Sequence, residues 1–207
     1  AGKCTEITDV DKEDVDAILM GAYAKFASMD RELFQFGELR ADMIEPENAL
    51  NNQVDFITQN ILPDNSYCRW NDFYEVINYC NYVLEFADEV RDKDPTFTLF
   101  QLEGYKSEAT FLRSLAYFYL VRLYKEVPLV LNSSRTDDQD FFVPKSSDTV
   151  VIDSITIQLE RALTYAPENY PVIKDNWGRA TKAAFFALLT DIHLWQFDYE
   201  ACINYCE

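Results

Sequence analysis

Over most of this chain apolar residues return every three or four positions, the spacing of one face of an α-helix. Val15, Ile18, Leu19, Ala22 and Phe26 predict a helix over residues 11–28, with acidic residues in its first turn. Trp70, Phe73, Ile77, Cys80, Leu84 and Ala87 predict a second over 70–90, in which Trp70 opens the apolar side and is assigned to the core. Asn81 lies beside that stripe. A buried amide must be hydrogen-bonded, so Asn81 is expected to tie a neighbouring backbone. The organising stretch is 104–128. On a helical wheel, Ala109, Leu112, Ala116, Tyr119, Leu120 and Leu123 form one arc, and Phe111, Leu115 and Phe118 a second. Thr110, Arg113, Ser114, Tyr117 and Tyr124 form a third. Two apolar arcs need neighbours on two sides, so this helix is expected to be sandwiched, with Pro128 stopping it.

The pattern continues downstream. Ile152, Ile155, Leu159, Ala162 and Leu163 predict a helix over 148–166, closed by Pro167. After Gly178, a helix over 179–196 carries Ala180, Ala184, Ala187, Leu188 and Trp195 on one face and Phe185, Leu189 and Ile192 on another. Asp198 is placed to cap a last helix with Tyr199, Cys202, Ile203 and Cys206 as its stripe. Between these helices, 36–69 reads as loop with a short helix near 46–52, and 129–147 and 168–178 read as insertions. Ile155, Leu159, Ala162 and Pro167 keep the offsets of half a tetratricopeptide motif, and Leu188, Ala201 and Tyr205 those of another. The expected fold is therefore all-α: a tetratricopeptide-like helical repeat array (an α-α superhelix) with long inserted loops. Its helix pairs are 11–28 with 70–90, 104–126 with 148–166, and 179–196 with 198–207, preceded by a tether over 1–10.

Charge and cysteine usage narrow the chemistry. With 36 acidic against 18 basic residues, a net charge of −18, the chain lacks the Lys/Arg density that nucleic acid binding requires. The five cysteines (Cys4, Cys68, Cys80, Cys202, Cys206) show no CxxC pair and no histidine at zinc-finger spacing, so no metal site is expected. Cys80, Cys202 and Cys206 fall on apolar faces and read as small buried hydrophobes. Asp9, Asp11 and Glu13 alternate as in a calcium loop but lack its glycine and terminal glutamate, and Asp137, Asp138 and Asp140 read as a solvated turn. The single histidine, His193, has no HExxH or nucleophile elbow around it. No catalytic constellation can be assembled, and neither an enzyme nor a cofactor is expected.

Several stretches, in order, resemble a known family. SEATFLRSLAYFYLVRLYKEVPLV, WNDFYEVINYCNYVLE, VIDSITIQLERAL and GRATKAAFFALLTDIHLWQFDYEACI are similar to the hallmark helices of the SusD/RagB family of Bacteroidetes outer-membrane nutrient-binding lipoproteins. One departure is Lys125, where the family usually has Gly before the "vP" ending. The resemblance implies a lipid-anchored, non-catalytic protein on the extracellular face of the outer membrane. Such a protein captures an oligosaccharide or peptide and closes over a TonB-dependent (SusC-like) transporter. Sugar capture uses aromatic faces with polar side chains on hydroxyls. The loop aromatics Phe56, Tyr67, Phe141, Phe142, Tyr170 and Trp177 are the candidates for that, and Cys4 is the candidate lipidation residue. Family members are usually more than twice this length, and the last helix is still in mid-pattern at Glu207. These residues are therefore expected to be the N-terminal scaffold portion of a longer protein. The competing expectation is a helical-repeat protein-protein interaction scaffold without ligand capture.

Overall fold

The computed structural model describes residues 11–41, 48, 50–62, 65–134 and 142–206. The expected long helices are all present, and several of their starts have a local cause. Helix α1 (Lys12–Ala27) begins at a reciprocal cap: the Asp11 side chain accepts from the Glu13 and Asp14 amides, and the Asp14 carboxylate accepts from the Asp11 amide. That use of Asp11 explains its alternation with Glu13 better than a calcium loop does. Helix α4 (Asn71–Lys93) starts at Trp70. Helix α5 (Leu99–Tyr124) begins five residues before the expected Gly104, because Thr98 and Gln101 form a capping box that nucleates an additional turn. Ser147 caps α6 (Asp148–Leu163), and Asp198 accepts from the Ala201 amide at the start of α9 (Tyr199–Cys206).

The stretch between α1 and α4, expected to be loop from residue 36 onward, is more ordered than its composition implies. It holds α2 (Asp30–Phe34), a π-helical turn (Gln35–Leu39) and α3 (Asn51–Ile57), so the short helix lies downstream of 46–52. Its scattered apolar residues are the reason: Met29, Phe36, Leu39 and Phe56 are all buried and anchor the crossing to the helices beneath. A two-residue antiparallel pair, β1 (Val127–Pro128) with β2 (Lys145–Ser146), closes the base of the 129–144 insertion.

The three expected pairs form: α1 packs on α4, α5 on α6, and α8 (Lys182–Trp195) on α9, while α4 against α5 joins the first pair to the second. The core runs through these contacts, with α5 at its centre. The third, polar arc of α5 is buried more completely than the second apolar one: Thr110, Arg113 and Ser114 lie inside with Tyr117, while Phe111 and Leu115 are half-buried. Asn81 does what a buried amide must. Its Nδ2 donates to the carbonyls of Val130 and Asn132, and its Oδ1 accepts from Arg113.

Some sequence expectations are corrected. Helix α5 ends at Tyr124, four residues before Pro128. Lys125 has φ 67° and ψ −75°, and the Glu126 amide donates to the Tyr124 carbonyl at 2.9 Å, a positive-φ γ-turn. A lysine thus sits where a glycine would be unstrained. Helix α8 starts at Lys182 rather than Arg179, because Arg179 is drawn to Glu108. On α8 only Phe185, Leu188, Leu189 and Ile192 are buried, and Ala187 and Trp195 face outward. The α9 stripe is largely uncovered, with Tyr199, Ile203 and Cys206 exposed and Cys202 half-buried. Of the three cysteines read as buried hydrophobes, only Cys80 is one.

A second buried charge fixes the 168–178 linker, which holds the one-turn helix α7 (Asp175–Gly178). Glu108, 1% exposed, accepts two hydrogen bonds from Arg179 (2.9 and 2.7 Å) and one from the Tyr23 hydroxyl (2.8 Å). That hydroxyl in turn accepts from the Ala180 amide, while Tyr170 donates to the Ala180 carbonyl. Burial alone would lower the Arg179 pKa, but the bonds and charge of Glu108 raise it on balance. Burial raises the Tyr23 pKa, and the Glu108 charge adds to the effect.

Candidate functional site

Trp70 stands at the mouth of α4, and its indole, 37% exposed, lines two cavities. Tyr74, one turn on, meets the ring edge-on at 6.0 Å, and Tyr124 from the end of α5 packs on it at 5.7 Å. The first cavity, about 500 Å³, is walled by Tyr74, Asn78 and Asn81 on one side and by the extended segment 128–134 on the other. The second, about 550 Å³, is lined mainly by Phe36, Phe56, Ile61, Leu62 and Leu123, with Arg40 and Cys68.

The sequence builds the first cavity by giving α4 a polar stripe opposite its apolar one. Tyr74, Asn78, Asn81, Tyr82 and Glu85 follow helical spacing and all bond to the one segment. Tyr74 donates to the Pro128 carbonyl at 2.7 Å. Asn78 accepts from the Ser134 amide, and Tyr82 donates to the Ser134 carbonyl. The Glu85 carboxylate accepts from both the amide and the hydroxyl of Ser133. From α5, the Tyr117 hydroxyl donates to the Val130 carbonyl and accepts from its amide. Burial pushes the pKa of both Tyr74 and Tyr117 up, so both phenols stay protonated as donors. The wall is held by hydrogen bonds at nearly every residue, so a ligand meets groups already in position.

The second cavity holds one unsatisfied group. The Tyr124 hydroxyl is buried without a hydrogen-bond partner among the described residues, and burial raises its pKa to about 12. Its oxygen has almost no accessible surface, so this unmet hydrogen bond is a cost carried inside the cavity wall. Together, an exposed indole, flanking tyrosines, amides and hydroxyls are the equipment that binds polar ring molecules by stacking and hydrogen bonding.

The loop aromatics singled out in the sequence do not form one site. Phe56 is 2% exposed and packed between Phe36 and Tyr67, so its ring belongs to the core as well as the second cavity wall. Tyr67 is half-buried with its edge toward Phe56. Phe142 is 94% exposed and adjoins Val143, which lines the first cavity. Tyr170 has the Arg179 guanidinium 4.6 Å over its ring, which covers a face a sugar would use. Trp177, 82% exposed, stands on the 168–178 linker and lines neither cavity. Phe141 and Cys4 lie outside the described residues. Sequence periodicity misses Trp70 by assigning it to the core. The available signal is the stripe Tyr74, Asn78, Asn81, Glu85, which begins one turn after it. His193 stacks on Tyr205 at 5.3 Å, and its Nδ1, 3.5 Å from Asp198, makes no hydrogen bond among the described residues.

Comparison with known proteins places this architecture. A SusD-like family model described as "Starch-binding associating with outer membrane" matches residues 4–194. A SusD-like protein of Formosa agariphila is 29% identical over 193 residues, 91% of this chain and 36% of that protein. A SusD superfamily protein of Bacteroides thetaiotaomicron superimposes with a TM-score of 0.82 at 22% identity, covering 94% of this chain and 46% of the other. A laminarin-binding SusD-like protein gives 0.80 at 20% identity, covering 95% and 43%. Surface glycan-binding protein A of Bacteroides uniformis gives 0.74 at 21% identity, covering 93% and 44%. The chain thus spans less than half the length of these relatives. With its tetratricopeptide-like helix pairs and a family match over nearly its whole length, the chain belongs to the SusD-like family.

Proposed function

We propose that this chain is the helical scaffold portion of a cell-surface protein that captures oligosaccharide for an outer-membrane uptake system without chemically altering it. The observation that carries the reading is the Trp70 indole, exposed at the rim of a cavity whose opposite wall is fixed by the polar stripe of α4. A sugar ring stacks on the indole while its hydroxyls reach Asn78, Asn132 and the backbone of the 128–134 segment. The family description and the names of two structural relatives support a glycan as ligand. In this reading the partner is a TonB-dependent, SusC-like transporter, and a lipid on Cys4 or on an upstream cysteine anchors the protein at the extracellular face. No described helix is long and apolar enough to cross a membrane. The remainder of the ligand site would come from residues beyond this chain, as the length of its relatives implies.

The test is calorimetric titration of the chain with β- and α-glucan oligosaccharides, with reducing ends counted afterwards. Binding without new reducing ends, weakened about tenfold or more by Trp70→Ala, is the expected result. Binding that ignores Trp70→Ala would move the site elsewhere, and new reducing ends would make the protein a hydrolase. A rival reading, a helical scaffold for protein partners, draws on the exposed Trp195, Phe197, Tyr199 and Ile203 near α9. It predicts no sugar response at all.

A further inference from the structure

The cleft between α5 and α6 shares no lining residue with the Trp70 cavities and has its own chemistry. Its floor is Arg113, 8% exposed. Among the described residues the guanidinium meets no carboxylate: Nη1 donates to Asn81 Oδ1 and Nη2 to Gln158 Oε1, both neutral amides. Gln158 is turned to present that oxygen because its own Nε2 donates to Ser154. Burial lowers the Arg113 pKa, yet a guanidinium stays charged in proteins, so a full positive charge lies nearly out of water with no counter-charge. Two of its five N–H groups have these partners, which leaves donors for a ligand.

The cleft above it, about 260 Å³, adds Arg161 and Lys106. Arg161 sits one turn from Gln158 on α6 and makes no ion pair among the described residues. Lys106 is paired with Asp88 across to α4, and Glu103 is the one carboxylate in the lining. With Lys106 offset by Asp88, Arg113 and Arg161 stand against one lining carboxylate, an excess of positive charge on a chain of net charge −18. Such a local reversal focuses a positive potential that attracts anions.

We propose that this cleft is an oxyanion site, in which a sulfate or carboxylate group docks on Arg113 and Arg161 with Lys106 at its edge. Planar guanidinium forks match the geometry of both groups, and a low-dielectric floor strengthens the charge-assisted bonds. The oxyanion could be free in solution or carried by an acidic saccharide. The proposal does not depend on the Trp70 reading.

The experiment is calorimetry and NMR of the arginine Nε–H signals, titrating sodium sulfate against sodium chloride at matched ionic strength. A second arm titrates methyl glucuronide against methyl glucoside. Saturable sulfate binding that chloride lacks, with shifts at the arginine signals, is expected. Arg161→Gln and Lys106→Gln, both near the surface, should fold normally and weaken binding about tenfold and a few-fold. Glucuronide tighter than sulfate, with glucoside inert, assigns the oxyanion to an acidic saccharide; sulfate the tighter assigns it to a free anion. Sulfate effects that do not saturate, or that survive unchanged in Arg161→Gln, are the general salting action of the ion and overturn the proposal.

Discussion

Two buried charges sit five residues apart on α5 and live by opposite rules. Glu108 is fully paired, with a bidentate guanidinium and a phenol, and its work is internal: it ties α1, α5 and the 168–178 linker into one piece. Among the described residues Arg113 is bonded only to neutral amides, and it opens into a cleft. Burial depth alone does not tell them apart, since both are under one-tenth exposed. The difference lies in the partner: a charge neutralised inside the protein is a fastener, and one left without a counter-charge keeps its field for something outside.

The contrast is testable, beginning with the largest effect. Glu108→Ala leaves Arg179 and the Tyr23 hydroxyl without their acceptor and should destabilise by about 3–5 kcal/mol in urea unfolding. A loss under about 1 kcal/mol would mean the cluster relaxes into water and fastens nothing. Arg113→Met has no ion pair to break and should cost less, about 1–3 kcal/mol, mostly from the acceptors orphaned on Asn81 and Gln158. If it cost as much as Glu108→Ala, the two charges would be equally structural.

Cys80 reports on the same field. Burial pushes its pKa up to about 12, while the nearby Arg113 charge pulls it down. Arg113→Met should therefore raise it further. Because the folded pKa lies above the ordinary thiol value of 9.0, Cys80 contributes no pH dependence below about pH 9. It withdraws stability as pH climbs from 9 toward 12, where only the unfolded thiol ionises. In alkylation at about pH 8, exposed Cys206 should react first and Cys80 only on unfolding. Simultaneous labelling would contradict its burial.

The smallest effect is a backbone control at the far end of the same helix. Lys125→Gly relieves a positive φ and should stabilise by about 1 kcal/mol, read as a higher urea midpoint with unchanged slope. Destabilisation would show that contacts of the lysine side chain outweigh the strain.

Only half of the candidate site is legible in the sequence. The role of Asn81 follows from its position, because a polar residue beside an apolar stripe must find a hydrogen-bond partner inside. Trp70 escapes, because the same periodicity describes a core ring and a ring at a helix mouth. Only the approach of Tyr124 from another helix leaves the indole one open side. Phe56 shows the converse, an aromatic in a polar segment that folds inward once Phe36 and Tyr67 arrive.

What the sequence determined by itself is local and periodic: which long stretches are helices, that Asp198 caps the last of them, and which pairs stack. Caps and stripes are fixed by residues within a few positions of one another, so they need no knowledge of the rest of the chain. Tertiary structure alone decided which polar groups would be buried together: Glu108 with Arg179 across 71 residues, Arg113 with Gln158 across 45, and α4 with the 128–134 segment. A buried charge or amide accepts any partner that satisfies it, and which one arrives depends on how whole helices pack.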